Sequence, residues 1–378
     1  MNARKLKLMT IFGTRPEIIK LSEVIKRSKS CFNCVNVFTG QNYDDNLSKI
    51  FFKSFNIQNI NHFLDVVGLD LGETIGNIIS KSYKVLKEES PEALLILGDT
   101  NSALSALSAK RLKIPIFHME AGNRCFDENL PEEINRKIID HISDVNLCYT
   151  EQARRNLLAE GRPTERTLVV GSPMAEIIEK NLENINNSAV LNDLRLINDK
   201  YLILSVHREE NIDNHYSFNQ IIESINLLAS EFKYPIIFSV HPRTAKALET
   251  KKVKLHKLIK LNKPFNFFDY MALQKSSFCV ISDSGTLAEE SSFFNFPAVS
   301  LRTSTERPEA LEKGHFVLSG LTANELICSV YLANNSSKMN YKISRVPDYL
   351  DNNVSDKVVK IIQSYFKIID KVVWNKFF

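Results

Sequence analysis

Short, nearly unbroken apolar runs recur along the first half of the chain, each closed by glycine or a polar residue and followed by helical periodicity. Residues 8–12 (Leu-Met-Thr-Ile-Phe) stop at Gly13 and predict a strand leading into a helix from Pro16 to about Lys26. Residues 35–38 stop at Thr39-Gly40, 93–97 at Gly98, 114–119 at Glu120 and 145–149 at Thr150. Runs without a polar face, separated by helical stretches, predict a parallel sheet covered on both sides. The polar, Asn-rich stretch 183–200 breaks the pattern and predicts a crossing between domains. A second set of strands is expected at 201–206, 234–240, 278–281 and 297–301. After another Asn/Ser-rich stretch near 334–340, the amphipathic segment 354–369 is expected to pack back on the first domain. The predicted fold class is α/β: two doubly wound domains facing each other across a cleft. The first would span 1–182, completed by a helix at about 352–378, and the second 183–351.

Composition narrows the function. Lys+Arg 48 against Asp+Glu 44 leaves a formal charge of +4, too balanced for a dedicated nucleic-acid binder. No apolar run approaches the roughly 18–20 residues that span a bilayer, so no membrane partner is expected. The first residues lead straight into a strand without a signal-peptide core, which predicts a cytoplasmic protein. Six cysteines are sparse for 378 residues and argue against a disulfide framework. Cys31-Phe-Asn-Cys34 has metal or redox spacing but lacks the second pair that a four-thiolate zinc site needs, so no metal is expected. Neither G-x-G-x-x-G nor a P-loop occurs among only 12 glycines. Without a Gly-rich first turn, Tyr83 and Lys87 read as an exposed i,i+4 pair rather than the Tyr-x-x-x-Lys of NAD-dependent short-chain enzymes.

Ligands of open α/β sheets bind outside the carboxyl ends of the strands, so the residues just past each strand are the informative ones. They are Gly13-Thr14-Arg15, Thr39-Gly40-Gln41, Gly98-Asp99-Thr100, Glu120-Ala121-Gly122, His207-Arg208-Glu209, His241-Pro242-Arg243 and Asp283-Ser284-Gly285. Ionisable groups dominate, and both domains contribute. Gly13-Thr14-Arg15-Pro16 reads either as an ordinary strand-to-helix turn or as a helix start that binds an anion. Ser284-Gly285-Thr286, with Arg307 downstream, reads either as a second anion cradle or as simple N-capping by Asp283 or Ser284. Asp99, Glu120 and Glu132 are the acidic candidates. Taken alone, Pro131-Glu132-Glu133 is what a helix start prefers. Acids of one domain opposite His207 and His241 of the other would make an acid/base site.

Taken in order, several stretches resemble the non-hydrolysing UDP-N-acetylglucosamine 2-epimerase family. They are Phe12-Gly-Thr-Arg-Pro-Glu17, Thr39-Gly-Gln41, Gly98-Asp-Thr100, His118-Met-Glu-Ala-Gly122, Pro131-Glu-Glu-Ile-Asn-Arg136, His207-Arg-Glu-Glu-Asn211, Ser282-Asp-Ser-Gly285 and Thr305-Glu-Arg-Pro-Glu309. Departures from the common pattern fall at Asn42, where a His is usual, and at Gly122-Asn-Arg-Cys-Phe-Asp127, Gly171-Ser-Pro-Met174 and Arg208-Glu209. These variants are similar to the branch that makes UDP-N-acetyl-L-fucosamine for capsule and O-antigen polysaccharides. Asn42 also weighs against the allosteric UDP-sugar site of the common branch.

The resemblance implies a GT-B-type pair of Rossmann-like domains, usually homodimeric, that inverts C2 of a UDP-sugar by eliminating UDP and adding it back, with no cofactor. Family catalytic positions fall on Asp99, Glu120, Glu132 and His207. Diphosphate and ribose contacts fall on Arg15, Lys20, Ser284, Gly285, Thr286, Glu290 and Arg307. Phe268 and Leu273 fall near the uracil, and His241 is a further site residue. The substrate so implied is UDP-2-acetamido-2,6-dideoxy-L-talose, the alternative being UDP-N-acetylglucosamine. A GT-B glycosyltransferase, a hydrolysing epimerase and a non-enzymatic UDP-sugar sensor are the rival readings. Exchange of the C2 proton without an acceptor separates the first and last of these from an epimerase.

Overall fold

The computed structural model describes residues 4–40, 51–57, 59–338 and 344–376. Gln41 and Asn42 lie outside the described residues. The chain divides into two compact units, one of Met1–Glu179 with Asp348–Phe378 and the other of Lys180–Pro347.

In the first unit the strands are β1 (Lys7–Phe12), β2 (Asn33–Phe38), β3 (His62–Phe63), β4 (Ala93–Leu97), β5 (Ile116–Ala121), β6 (Val145–Cys148) and β7 (Thr167–Val169). They form one sheet in the order β3-β2-β1-β4-β5-β6-β7, and every pairing is parallel. The sequence Ala-Leu-Leu-Ile-Leu of β4 is buried at all five positions, because helices cover both faces of the sheet. Burying a Leu or Ile side chain of this kind contributes roughly 1.5–3 kcal/mol. The chain leaves β1 to one side toward β2 and returns to its other side at β4. That reversal opens a crevice at the carboxyl ends of β1 and β4.

The second unit repeats the plan with β8 (Leu202–Ser205), β9 (Ile236–Ser239), β10 (Ile259–Asn262), β11 (Cys279–Ser282), β12 (Ala298–Leu301) and β13 (Val317–Ser319). Their order is β10-β9-β8-β11-β12-β13, again all parallel, so the reversal falls between β8 and β11. Each unit is thus a Rossmann-like doubly wound domain with its own core.

The helix expected from Pro16 to about Lys26 runs Arg15–Cys31. Its last turn carries no aliphatic residue, so apolar periodicity fades there, but Arg27 is held by Asp356 at 2.8 Å. Asp356 belongs to the amphipathic helix Val354–Val372, which buries Val354, Val358, Ile362, Phe366 and Ile369 and packs on Arg15–Cys31. The stretch 183–200 is not a bare crossing. It forms the short helices Leu182–Asn186 and Val190–Asp193, which pack against helix Phe267–Lys275, and Ser188 bonds Asp269. The units instead divide at Glu179/Lys180 and at Pro347/Asp348 rather than at the expected 182 and 351. Asp348 belongs to the first unit because its carbonyl accepts from the Ser172 amide and its carboxylate from the Glu151 amide. The Asn/Ser-rich stretch near 334–340 is helical as far as Lys338, inside helix Ala323–Lys338. Among the described residues no helix is long and apolar enough to cross a membrane.

Candidate active site

The crevice of the first unit gathers Gly13-Thr14-Arg15 after β1 and Gly98-Asp99-Thr100 after β4. Glu17 joins the two turns. Its Oε2 accepts from the Gly13 and Thr14 amides at 3.2 and 2.9 Å, and from the Thr14 and Thr100 hydroxyls at 2.7 and 3.1 Å. Burial pushes this carboxyl up to about 7, against the opposing pull of those four donors. Gly13 is required here, since a Cβ would sit 1.8 Å from Thr39 Oγ1. Arg15, at the start of helix Arg15–Cys31, lies over the Phe51 ring at 5.6 Å.

One turn further along, Lys20 Nζ reaches both carboxylate oxygens of Glu120, at 2.9 and 2.7 Å. The pair is nearly closed off, with side chains 6% and 11% exposed. Glu120 has φ +64°, a conformation costly for a residue with a side chain, at a bulge where β5 and β6 shift register. The bulge turns its carboxylate over Gly98, whose absent Cβ would lie 3.7 Å from Glu120 Oε2. Beneath these turns, buried His118 donates from Nε2 to the Gly98 carbonyl at 2.8 Å, and its Nδ1 lies 2.9 Å from Asp140. Asp140 also accepts from Arg124 and the Gly122 amide. Burial alone would raise the Asp140 carboxyl, but His118 and Arg124 outweigh it and hold it below its ordinary value.

Asp99 is oriented from helix Pro131–Ile142. Arg136 Nε donates to its carboxylate at 2.7 Å, and Asn135 donates to its carbonyl at 2.9 Å. Half-buried Glu132 sits in the first turn of that helix, after Pro131. Its neighbour Glu133 pairs with Arg136 at 2.7 Å and accepts from the Cys125 and Phe126 amides, pinning the loop that follows β5. Asp99, Glu120, Lys20 and Arg15 are therefore set on adjacent strand ends and helix starts of one sheet.

In the second unit the organiser is Asp283, fully buried at the end of β11. Its Oδ2 accepts from the amides of His207 and Arg208, both at 2.9 Å, and from Asn211 at 3.1 Å. Its Oδ1 lies 3.1 Å from His207 Nδ1. Burial would raise this carboxyl, yet the His207 and Arg208 contacts hold it well below the carboxylate range. Asp283 thus orients His207 instead of capping the helix after it. That helix, Leu287–Phe294, has Thr286 as its N-cap without a side-chain cap bond, and Ser284 Oγ lies 3.0 Å from Thr286 Oγ1. The His241 ring lies 5.7 Å from that of His207, and its side chain caps helix Pro242–Thr250 through the Arg243 amide. Glu290 accepts from Gln274 at 2.7 Å, and Arg307 donates to buried Glu289 at 3.0 Å. Phe268 is partly exposed, but Leu273 is wholly buried and its carbonyl accepts from Tyr201 at 2.7 Å.

The remaining motifs stay apart from these crevices. Tyr83 and Lys87 are exposed on helix Leu71–Glu89. Cys31 and Cys34 are free thiols, and burial pushes Cys34 up to about 11. Among the described residues no three His, Cys, Asp or Glu side chains are grouped to hold a metal.

Two sheets reversed at their first strand, each with acids or histidine at the reversal, suit a nucleotide-sugar enzyme. Comparison with known proteins decides which. The family model described as UDP-N-acetylglucosamine 2-epimerase matches residues 25–363. The chain belongs to that family. It is similar to the solved UDP-N-acetylglucosamine 2-epimerase of Rickettsia bellii, with 43% identity, TM-score 0.91, and coverage of 99% of this chain and 100% of that one. The Methanocaldococcus jannaschii UDP-GlcNAc 2-epimerase, solved with UDP-GlcNAc and UDP, matches at 35% identity and TM-score 0.88 over 95% of this chain and 100% of that one. UDP-2,3-diacetamido-2,3-dideoxy-D-glucuronate 2-epimerase of Pseudomonas aeruginosa is 33% identical over 85% of this chain and 90% of its own length. As a member of this family the chain is an isomerase, a non-hydrolysing UDP-sugar 2-epimerase, and a UDP-sugar is its substrate.

Proposed function

We propose that this epimerase converts UDP-2-acetamido-2,6-dideoxy-L-talose to UDP-N-acetyl-L-fucosamine, a precursor of capsular or O-antigen polysaccharide. The observation that carries this reading is the loop after β5, where Gly122-Asn-Arg-Cys-Phe-Asp127 places Cys125 and Phe126. Phe126 is 73% exposed on a loop anchored by Glu133, an apolar surface suited to the methyl group of a 6-deoxy sugar. Conversion of UDP-N-acetylglucosamine to UDP-N-acetylmannosamine is the second reading, favoured by the activity named for the Rickettsia bellii relative.

The chemistry explains the residues. A C2–H beside an acetamide nitrogen has no carbonyl on its own carbon to accept charge. When the C1–O bond to UDP breaks, the electron pair leaves with UDP and C1 gains oxocarbenium character, which acidifies the C2 proton. A carboxylate takes that proton and leaves a neutral glycal. A second carboxyl group, protonated at that stage, then gives its proton to the opposite face of C2 while a UDP oxygen attacks C1, and proton exchange with solvent resets both carboxyls, so atoms balance and no oxidant enters. We assign the two proton transfers to Glu120 and Glu132. Lys20 and the strained backbone fix the Glu120 carboxylate, and Asp99, held by Arg136, orients or shares protons. His207, set by Asp283, assists the diphosphate. Arg15, Ser284-Gly285-Thr286 and Arg307 stabilise the departing charge, with Glu290 at the ribose, Phe268 at the uracil and His241 beside His207.

The test is kcat/KM for the two substrates with purified protein. A preference of tenfold or more for the L-talose compound supports the proposal. The reverse preference overturns the substrate and leaves the epimerase in place.

A further inference from the structure

The geometry points to Arg302 as a ligand of the nucleoside diphosphate, its guanidinium held by Glu306 and donating to a phosphoryl oxygen at the Ser284-Gly285 turn. This rests on the UDP-sugar reading above and adds a residue that the family resemblance did not supply.

Arg302 directly follows β12, which pairs with β11 through Ser300 and Ser282. It therefore reaches the same carboxyl edge of the sheet as Ser284-Gly285-Thr286. There it lines a small hollow with Ser284, Gly285, Thr305 and Arg307, at the start of helix Leu287–Phe294. Its side chain is only 4% exposed. Nη1 donates to Glu306 Oε2 at 2.6 Å, whereas buried Nη2 has no hydrogen-bond partner among the described residues. Buried charged donors are almost always satisfied, so an open N–H at a ligand crevice marks a place for an acceptor that binding brings.

The surroundings select an anion. Arg208 Nη2 stands 3.5 Å from the other oxygen of Glu306 and its Nη1 3.6 Å from Glu210, so this carboxylate lies between two guanidinium groups and the open N–H of Arg302 is what calls for an acceptor. The positive end of helix Leu287–Phe294 favours an anion at the same place. Gly285 permits the close approach, since a Cβ there would lie 2.6 Å from Glu306 Oε1. A planar guanidinium with one edge fixed by Glu306 offers its remaining N–H in a set direction, which matches a phosphoryl oxygen better than a diffuse point charge. Glu306 acts as a positioning residue.

The test measures UDP and uridine affinity of the full chain for wild type, R302M and E306Q, by calorimetry for UDP and saturation-transfer NMR for uridine. The expected result is UDP weakened at least tenfold in R302M and severalfold in E306Q, with uridine unchanged within twofold. Equal weakening of UDP and uridine in R302M would make Arg302 merely structural and overturn the inference. So would UDP binding within twofold of wild type. If R302M does not fold, E306Q decides by the same criteria. A wild-type protein that binds no UDP would overturn the UDP-sugar reading itself.

Discussion

Glu17 gives the sharpest stability prediction. It is buried and takes four donors on one oxygen, while its Oε1 has no hydrogen-bond partner among the described residues. Glu17→Gln keeps the shape and removes the ionisation. The folded carboxyl titrates near 7 against 4.5 as its ordinary value, so the folded state binds the proton more tightly than the unfolded chain does. Its contribution is therefore complete below pH 4.5, declines as pH rises through 7, and is level above that. At about 1.4 kcal/mol per pKa unit the loss is about 3 kcal/mol. The chain's one tryptophan, Trp374, belongs to the first unit, under the Lys110 ammonium at 5.0 Å, so its fluorescence reports that unit during urea unfolding. Wild-type stability minus that of E17Q is expected to fall by about 3 kcal/mol between pH 4.5 and 8, with other titrations cancelling. A difference that stays flat within about 1 kcal/mol would refute the argument.

Further outcomes follow from the same geometry. Lys20→Met removes the ammonium paired with nearly buried Glu120, and is expected to cost about 3–5 kcal/mol in urea unfolding and to suppress epimerisation. Gly13→Ala forces a Cβ against Thr39 and Ser102 and is expected to destabilise by about 1–3 kcal/mol, read as a lower thermal midpoint. Asp283→Ala removes the acceptor of two amides and Asn211, and is expected to cost about 3–5 kcal/mol in the second unit, followed by urea-dependent hydrogen exchange. Glu120→Gln and Glu132→Gln are each expected to slow C2 exchange by about 10²–10⁴-fold, and full exchange in either variant excludes that residue as a base.

The fold was legible because strands covered on both faces read as continuous apolar runs, and the residues just past them are the ones the crevices gather. Partnerships were less legible. Lys20 and Glu120 are 100 residues apart, and no local pattern announces that they meet. Glu17 stands three residues after Thr14 and completes the capping box of its helix, yet the same carboxylate also reaches Thr100. Asp283 reads as the cap of its own helix, whereas its carboxylate turns back to His207 and Arg208. Arg302 follows a strand end as the motif residues do but lies outside those motifs. Stretch 183–200 misled through its asparagines, since Ile185 and Val190 suffice to anchor two short helices.

The central claim is tested most directly by proton NMR in D2O, with purified protein and a UDP-sugar but no acceptor. Epimerisation by elimination and re-addition predicts loss of the C2–H signal as both C2 epimers become deuterated, with UDP remaining attached at equilibrium. An unlabelled C2, or accumulation of free sugar and UDP in place of the epimer, would contradict it.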